Sequence, residues 1–103
     1  MRRIQTADIE QLRSEICAPW IGDARADDAF DYAIEFLAAN ELPRGADQSV
    51  LNAYRSRMRF AVSFRARNEQ RMAEDAIEWT EIGDAICAAL VEWMIDAPKA
   101  VAV

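Results

Sequence analysis

Residues 49–96 read SVLNAYRSRMRFAVSFRARNEQRMAEDAIEWTEIGDAICAALVEWMID, a stretch with one glycine, Gly83, and no proline. Every part of it favours helix, and none of it alternates apolar and polar residues with the β-branched enrichment of a strand. It is longer than an ordinary globular helix, so it either breaks or spans the whole molecule. A break is expected at Arg67–Glu69, where Asn68 can end one helix and start another, with a second weak point at Thr80–Gly83. Before the break, Leu51, Tyr54, Met58, Ala61 and Val62 share one apolar face. After it, Met72, Trp79, Ile82, Ile86, Leu90 and Trp93 do the same. Ala97-Pro98 ends the last helix, and residues 99–103 read as a frayed tail.

Moving outward, Glu41-Leu42-Pro43-Arg44-Gly45 is a connecting loop. The helix before it should run from Ala24 to Ala39. Asp23 caps it, Ala26, Ala29, Phe30, Ala33, Ile34 and Leu37 form its apolar stripe, and Asn40 suits the left-handed position at its end. Trp20-Ile21-Gly22 is an apolar corner whose Trp20 plugs the core. Pro19 ends a first helix over Ala7–Cys17, capped by Thr6 or Asp8, with Ile9, Leu12 and Ile16 on one face. The pattern predicts an all-α protein: one domain over residues 1–98, a compact bundle of four to five helices with mostly antiparallel neighbours. At 103 residues with 52% hydrophobic content, the chain can bury a core without metal or disulfides. Cys17 and Cys87 match no metal spacing and read as reduced, buried thiols of a cytoplasmic protein. No window approaches the length of a membrane span, and no secretion signal follows Met1-Arg2-Arg3.

Net charge is −6, and it is segmented. Residues 1–43 sum to −5, residues 44–71 to +5 and residues 72–103 to −6. The simplest account is internal: a basic central helix between acidic ones, linked by solvated ion pairs that favour correct helix pairing more than tight folding.

Chemistry is limited by what is missing. There is no histidine, hence no imidazole base, no imidazole ligand and no histidine-activated nucleophile. Three scattered glycines cannot build a phosphate-cradling loop. Neither a catalytic residue nor a cofactor or metal site is assigned. Glu78, Glu81 and Asp84 follow an acid-x-x-acid-x-x-acid rhythm that resembles half the signature of all-α nucleotide pyrophosphohydrolases of the MazG type. That resemblance implies Mg²⁺ held by two acidic pairs on separate helices. The second pair would be Asp28 and Asp31, at a separation too long for the family pattern. Glu81 and Asp84 also project away from the Trp79/Ile86/Leu90 face, as a solvated surface does. The cadence of Ile9-Glu10-Gln11-Leu12 followed by Asp27-Asp28 is similar to that of small helical head–tail connector proteins of tailed phages. It implies no functional residue.

Three features bear on binding. Asp27, Asp28, Asp31 and Glu35 form an acidic stripe on the outer side of the second helix, suited to a basic protein surface, including that of a nucleic-acid-binding protein. Arg55, Arg57, Arg59, Arg65 and Arg67 interleave with Tyr54, Phe60 and Phe64. Arg55, Arg57, Arg59 and Arg67 are candidate contacts to nucleic acid or to an acidic partner, but the arginines are scattered around the helix and the overall charge opposes nucleic acid. Finally, Ile77, Val91 and Ile95 in the last helix, and Phe60 and Phe64 in the third, lie off the core faces. One of these second faces is expected to meet a partner or a second copy. Together these favour a non-enzymatic protein-interaction module, a small acidic inhibitor or regulator of the size and charge of phage anti-defence proteins such as anti-CRISPRs. The alternatives are a nucleic-acid-binding regulator using the arginine-rich helix and a phage structural or assembly subunit.

Overall fold

The computed structural model describes residues 4–70 and 76–96, with the side chains of Gln70 and Asp96 excepted. They form an all-α bundle of four helices: α1 Ile9–Ile16, α2 Ala24–Ala39, α3 Gln48–Gln70 and α4 Ala76–Asp96. Single turns of 3₁₀ helix at Thr6–Asp8 and Ala18–Trp20 flank α1. Helices α2, α3 and α4 each pack on the other two, and α1 closes the bundle against α4. No helix among the described residues is long and apolar enough to cross a membrane.

Local chemistry explains the boundaries. Asp23 accepts a hydrogen bond from the Arg25 backbone N–H at 2.9 Å, so α2 starts where its cap requires. The Arg25 guanidinium lies over the same carboxylate (Nη2–Oδ2 2.8 Å). That hydrogen bond is the main reason the Asp23 pKa is lowered. At the start of α3 the same role falls to Asp47, whose Oδ1 accepts from Val50 N–H at 2.9 Å. The end of α2 departs from expectation. Asn40 is extended (φ −138°, ψ 90°) instead of left-handed. Its side-chain amide returns to the Phe36 carbonyl at 3.1 Å, and its own carbonyl accepts the Tyr54 hydroxyl, so no left-handed cap is needed. The left-handed residues are Gly22 (φ +83°) and Gly45 (φ +66°), in the two inter-helix turns. At the first helix, neither Thr6 nor Asp8 caps in the expected forward sense. Instead the Asp8 carboxylate reaches back to the Gln5 N–H at 3.3 Å.

The core is a single cluster. Phe30 from α2, Tyr54, Met58 and Val62 from α3, and Trp79, Ile86, Cys87 and Leu90 from α4 are fully buried. Each large apolar side chain contributes about 1.5–3 kcal/mol through burial. Leu12 brings α1 into the cluster, and Trp20 packs against its edge. Ile21 in the corner points outward instead, 88% exposed.

Three further expectations change. Helix α3 continues through Asn68 to Gln70, so Arg67–Glu69 is not a break; the join to α4, with Met72, lies outside the described residues, as do residues 99–103. Helix α4 runs unbroken through Thr80–Gly83, and Gly83 lies packed between its neighbours: a Cβ there would be 3.6 Å from the Trp79 ring and 3.6 Å from Val62, ordinary contact distances. The supposed second face of α4 also turns inward. Val91 is buried and Ile95 packs on the core, which leaves Ile77 exposed.

Candidate functional site: the outer faces of α2 and α3

Half of the charged side chains singled out in the sequence link one helix to another. Arg13 of α1 lies over the Phe30 ring (4.9 Å to its centroid) and donates to Asp31 at 2.7 Å, joining α1 to α2. Arg25 of α2 reaches Glu78 of α4 at 2.9 Å. Arg59 of α3 faces Asp84 of α4, Nε to Oδ1 3.4 Å. Arg65 of α3 bonds Glu35 of α2 and Glu69 of its own helix (2.9 Å to the latter). Its guanidinium lies 4.8 Å from the centre of the Tyr32 ring, and that ring stacks with Trp79 at 6.3 Å between centroids. Tyr32 donates to Glu69 at 3.2 Å. Two of these links, Arg59–Asp84 and Arg65–Glu35, join the basic segment to the acidic ones; the other two join helices of the acidic segments through Arg13 and Arg25.

This geometry divides the acidic stripe. Asp31 and Glu35 are paired with Arg13 and Arg65, though each remains about half exposed. Asp27 and Asp28 keep the outward position, with only the Asp27 backbone carbonyl engaged by Arg13 (3.5 Å). Partial burial, and then the charges of Asp31, Asp27 and Glu69, push the Asp28 pKa up.

Helical projection also sorts the arginines. Arg59 and Arg65 lie on the flanks of α3 toward α4 and α2. Arg55 turns back to Asn52 at 3.0 Å. Arg57 and Arg67 are exposed on the side away from the core. Neither is in an ion pair with a described carboxylate; Arg57 instead lies 5.7 Å from the Tyr54 ring centre. Between them stand Phe60 and Phe64, 70% and 58% exposed, with ring centroids 6.1 Å apart and planes 21° apart. Residues 57, 60, 64 and 67 fall within about 80° of arc and span about 15 Å along the axis. The sequence placed Phe60 and Phe64 off the core face. It did not gather Arg57 and Arg67 with them, because all five arginines were weighed as one set. Of the other exposed large apolar residues, Ile21 and Ile77 stand on other elements, and Val50 stands in the first turn of α3, ten residues before Phe60.

Glu78, Glu81 and Asp84 diverge: Glu78 turns to Arg25, Asp84 to Arg59, and Glu81 to solvent. Among the described residues no group of three or more acidic or thiol side chains could hold a metal ion. The two cysteines are free and buried. Burial, with Asp84 nearby, raises the Cys87 pKa to about 12, and burial followed by Asp27 raises that of Cys17. A cavity of about 660 Å³ opens between the N-terminal segment, the end of α2 and the loop before α3. Ile9, Ile34, Leu37, Leu42 and Met94 line it. Its polar lining is Thr6, Glu41 and Arg44 at the exposed rim and Tyr54, whose hydroxyl donates to the Asn40 carbonyl. Comparison with protein-family models, curated proteins and solved structures yields no match. The functional reading therefore rests on the surface chemistry of this chain alone.

Proposed function

We propose that the chain is a non-enzymatic protein-interaction module, a small acidic inhibitor or regulator that works by covering a site on another protein. The observation that carries this reading is the stacked Phe60–Phe64 pair on the side of α3 turned away from the core. Two adjacent exposed phenylalanines cost solubility and add nothing to this fold, which is the usual mark of a contact surface. The absence of histidine and the divergence of the carboxylates favour contact over chemistry. Two free thiols suit a reducing cytoplasm. The expected outcome is that Phe60→Ser with Phe64→Ser leaves helix content and thermal stability unchanged but abolishes capture of the physiological partner from host lysate. Capture that survives the double change refutes the α3 surface.

A second reading has its own support. Asp28 is raised in pKa first by partial burial and then by the like charges around it, and the like-charge part is relieved if a basic partner surface meets Asp27 and Asp28 together with the outer edges of Asp31 and Glu35. On that reading, Asp27→Lys with Asp28→Lys abolishes capture while the Phe60/Phe64 variant does not.

A further inference from the structure

We propose that the outer row of α3 receives an acidic amphipathic helix from another protein. This rests on reading that row as a protein-binding surface and adds the chemistry of the occupant. Arg57 and Arg67 stand at the two ends of the Phe60–Phe64 pair, and neither meets a described carboxylate, whereas Arg59 and Arg65 on the same helix are both committed to glutamate or aspartate. The row therefore offers an apolar centre closed at each end by an unneutralised cation. Its spacing is three, four and three residues, the spacing of one helix face. The complement is a helix with carboxylates at the ends of an identical three-four-three row and apolar side chains between them, a form of helix-on-helix recognition. Because the spacing is the same in both directions, the row accepts such a helix in either orientation.

The alternatives fit less well. A second copy of the chain docking row to row brings the Arg57 end of one copy onto the Arg67 end of the other when antiparallel, or onto its own equivalent when parallel. Both place like charges together. Single-stranded nucleic acid would use the cations and the rings. However, the row offers only two cations to a phosphate backbone, and its two rings pack on each other at 6.1 Å instead of standing apart to take bases between them.

The test uses the whole chain and a pair of labelled synthetic helical peptides with two leucines at the centre of the row. One carries glutamate at the row's ends, the other lysine, and fluorescence anisotropy reads binding. The glutamate peptide should bind and weaken with salt. Arg57→Glu with Arg67→Glu should lower its affinity at least about tenfold and transfer binding to the lysine peptide. Equal binding of both peptides to the unaltered chain overturns the proposal. So does competition by oligothymidine, or self-association that Phe60→Ser with Phe64→Ser abolishes. If the two serine substitutions remove peptide binding and charge reversal changes nothing, the acidic occupant is wrong and the protein-binding surface stands. If the serine substitutions change nothing, both are wrong.

Discussion

Asp28 sits half-buried on α2 with three carboxylates near it, and its raised pKa is a statement about stability. The folded state takes up the proton more readily than the unfolded chain does. The favourable contribution is therefore present below the ordinary carboxylate pKa, near 4, and is lost as pH rises through the raised value. Asp28→Asn removes the penalty at neutral pH. Its expected gain is about 0.5 kcal/mol, the scale of a like-charge pair one helical turn apart, measured by urea unfolding at pH 7. The gain should vanish in the same experiment at acid pH. Asp23 behaves oppositely: the Arg25 hydrogen bond lowers its pKa, so its contribution is present above the ordinary value and disappears as pH falls through the lowered one.

At the level of elements, the sequence was most legible where local chemistry decides. The bounds of α2 follow from the Asp23 cap and an apolar stripe at helical spacing, and they are the observed ones. The reading failed where a distant contact decides. Gly83 looks like a helix breaker when only its own helix is considered, but it sits between the Trp79 ring and Val62 of α3, where packing holds α4 continuous. Asn40 would suit a left-handed cap, but the Tyr54 hydroxyl takes its carbonyl and holds it extended. The spare apolar face was predicted equally for both long helices. Only α3 keeps one, because Val91 and Ile95 are turned inward by the way α4 sits against its neighbours. The space at Gly83 gives a further expectation. A methyl group there meets its neighbours at ordinary contact distance, so Gly83→Ala should raise stability by about 0.5–1 kcal/mol through helix propensity. A rise in thermal midpoint checks it, and a fall would mean the two helices cannot yield.

At the scale of the whole molecule, ion pairs link α1 to α2, α2 to α4, α3 to α4 and α2 to α3. Exposed pairs of this kind add little energy each, yet together they give each helix a matching neighbour. The segmented charge of the sequence anticipates two of these links, Arg59–Asp84 and Arg65–Glu35, but not the pairs that the few arginines of the acidic segments make, Arg13–Asp31 and Arg25–Glu78, since those depend on how the packed helices are rotated. The pattern separates the arginines of α3 by consequence. One oxygen of Asp84, Oδ1, is shielded from solvent and accepts no hydrogen bond, and the Arg59 guanidinium, with Nε at 3.4 Å, balances its charge. Arg59→Ala should therefore cost about 0.5–1 kcal/mol by removing that ion pair, while Arg67→Ala should change stability by less than about 0.5 kcal/mol. Parallel urea titrations would show the contrast. Phe60 and Phe64 extend this separation, since they stand across the helix axis from Met58 and Val62. Folding is thus inscribed on one side of this cylinder, and the surface we propose for recognition on the other. On that proposal, descendants of this chain are free to exchange one quarry for another by rewriting a few outward letters, without disturbing the interior.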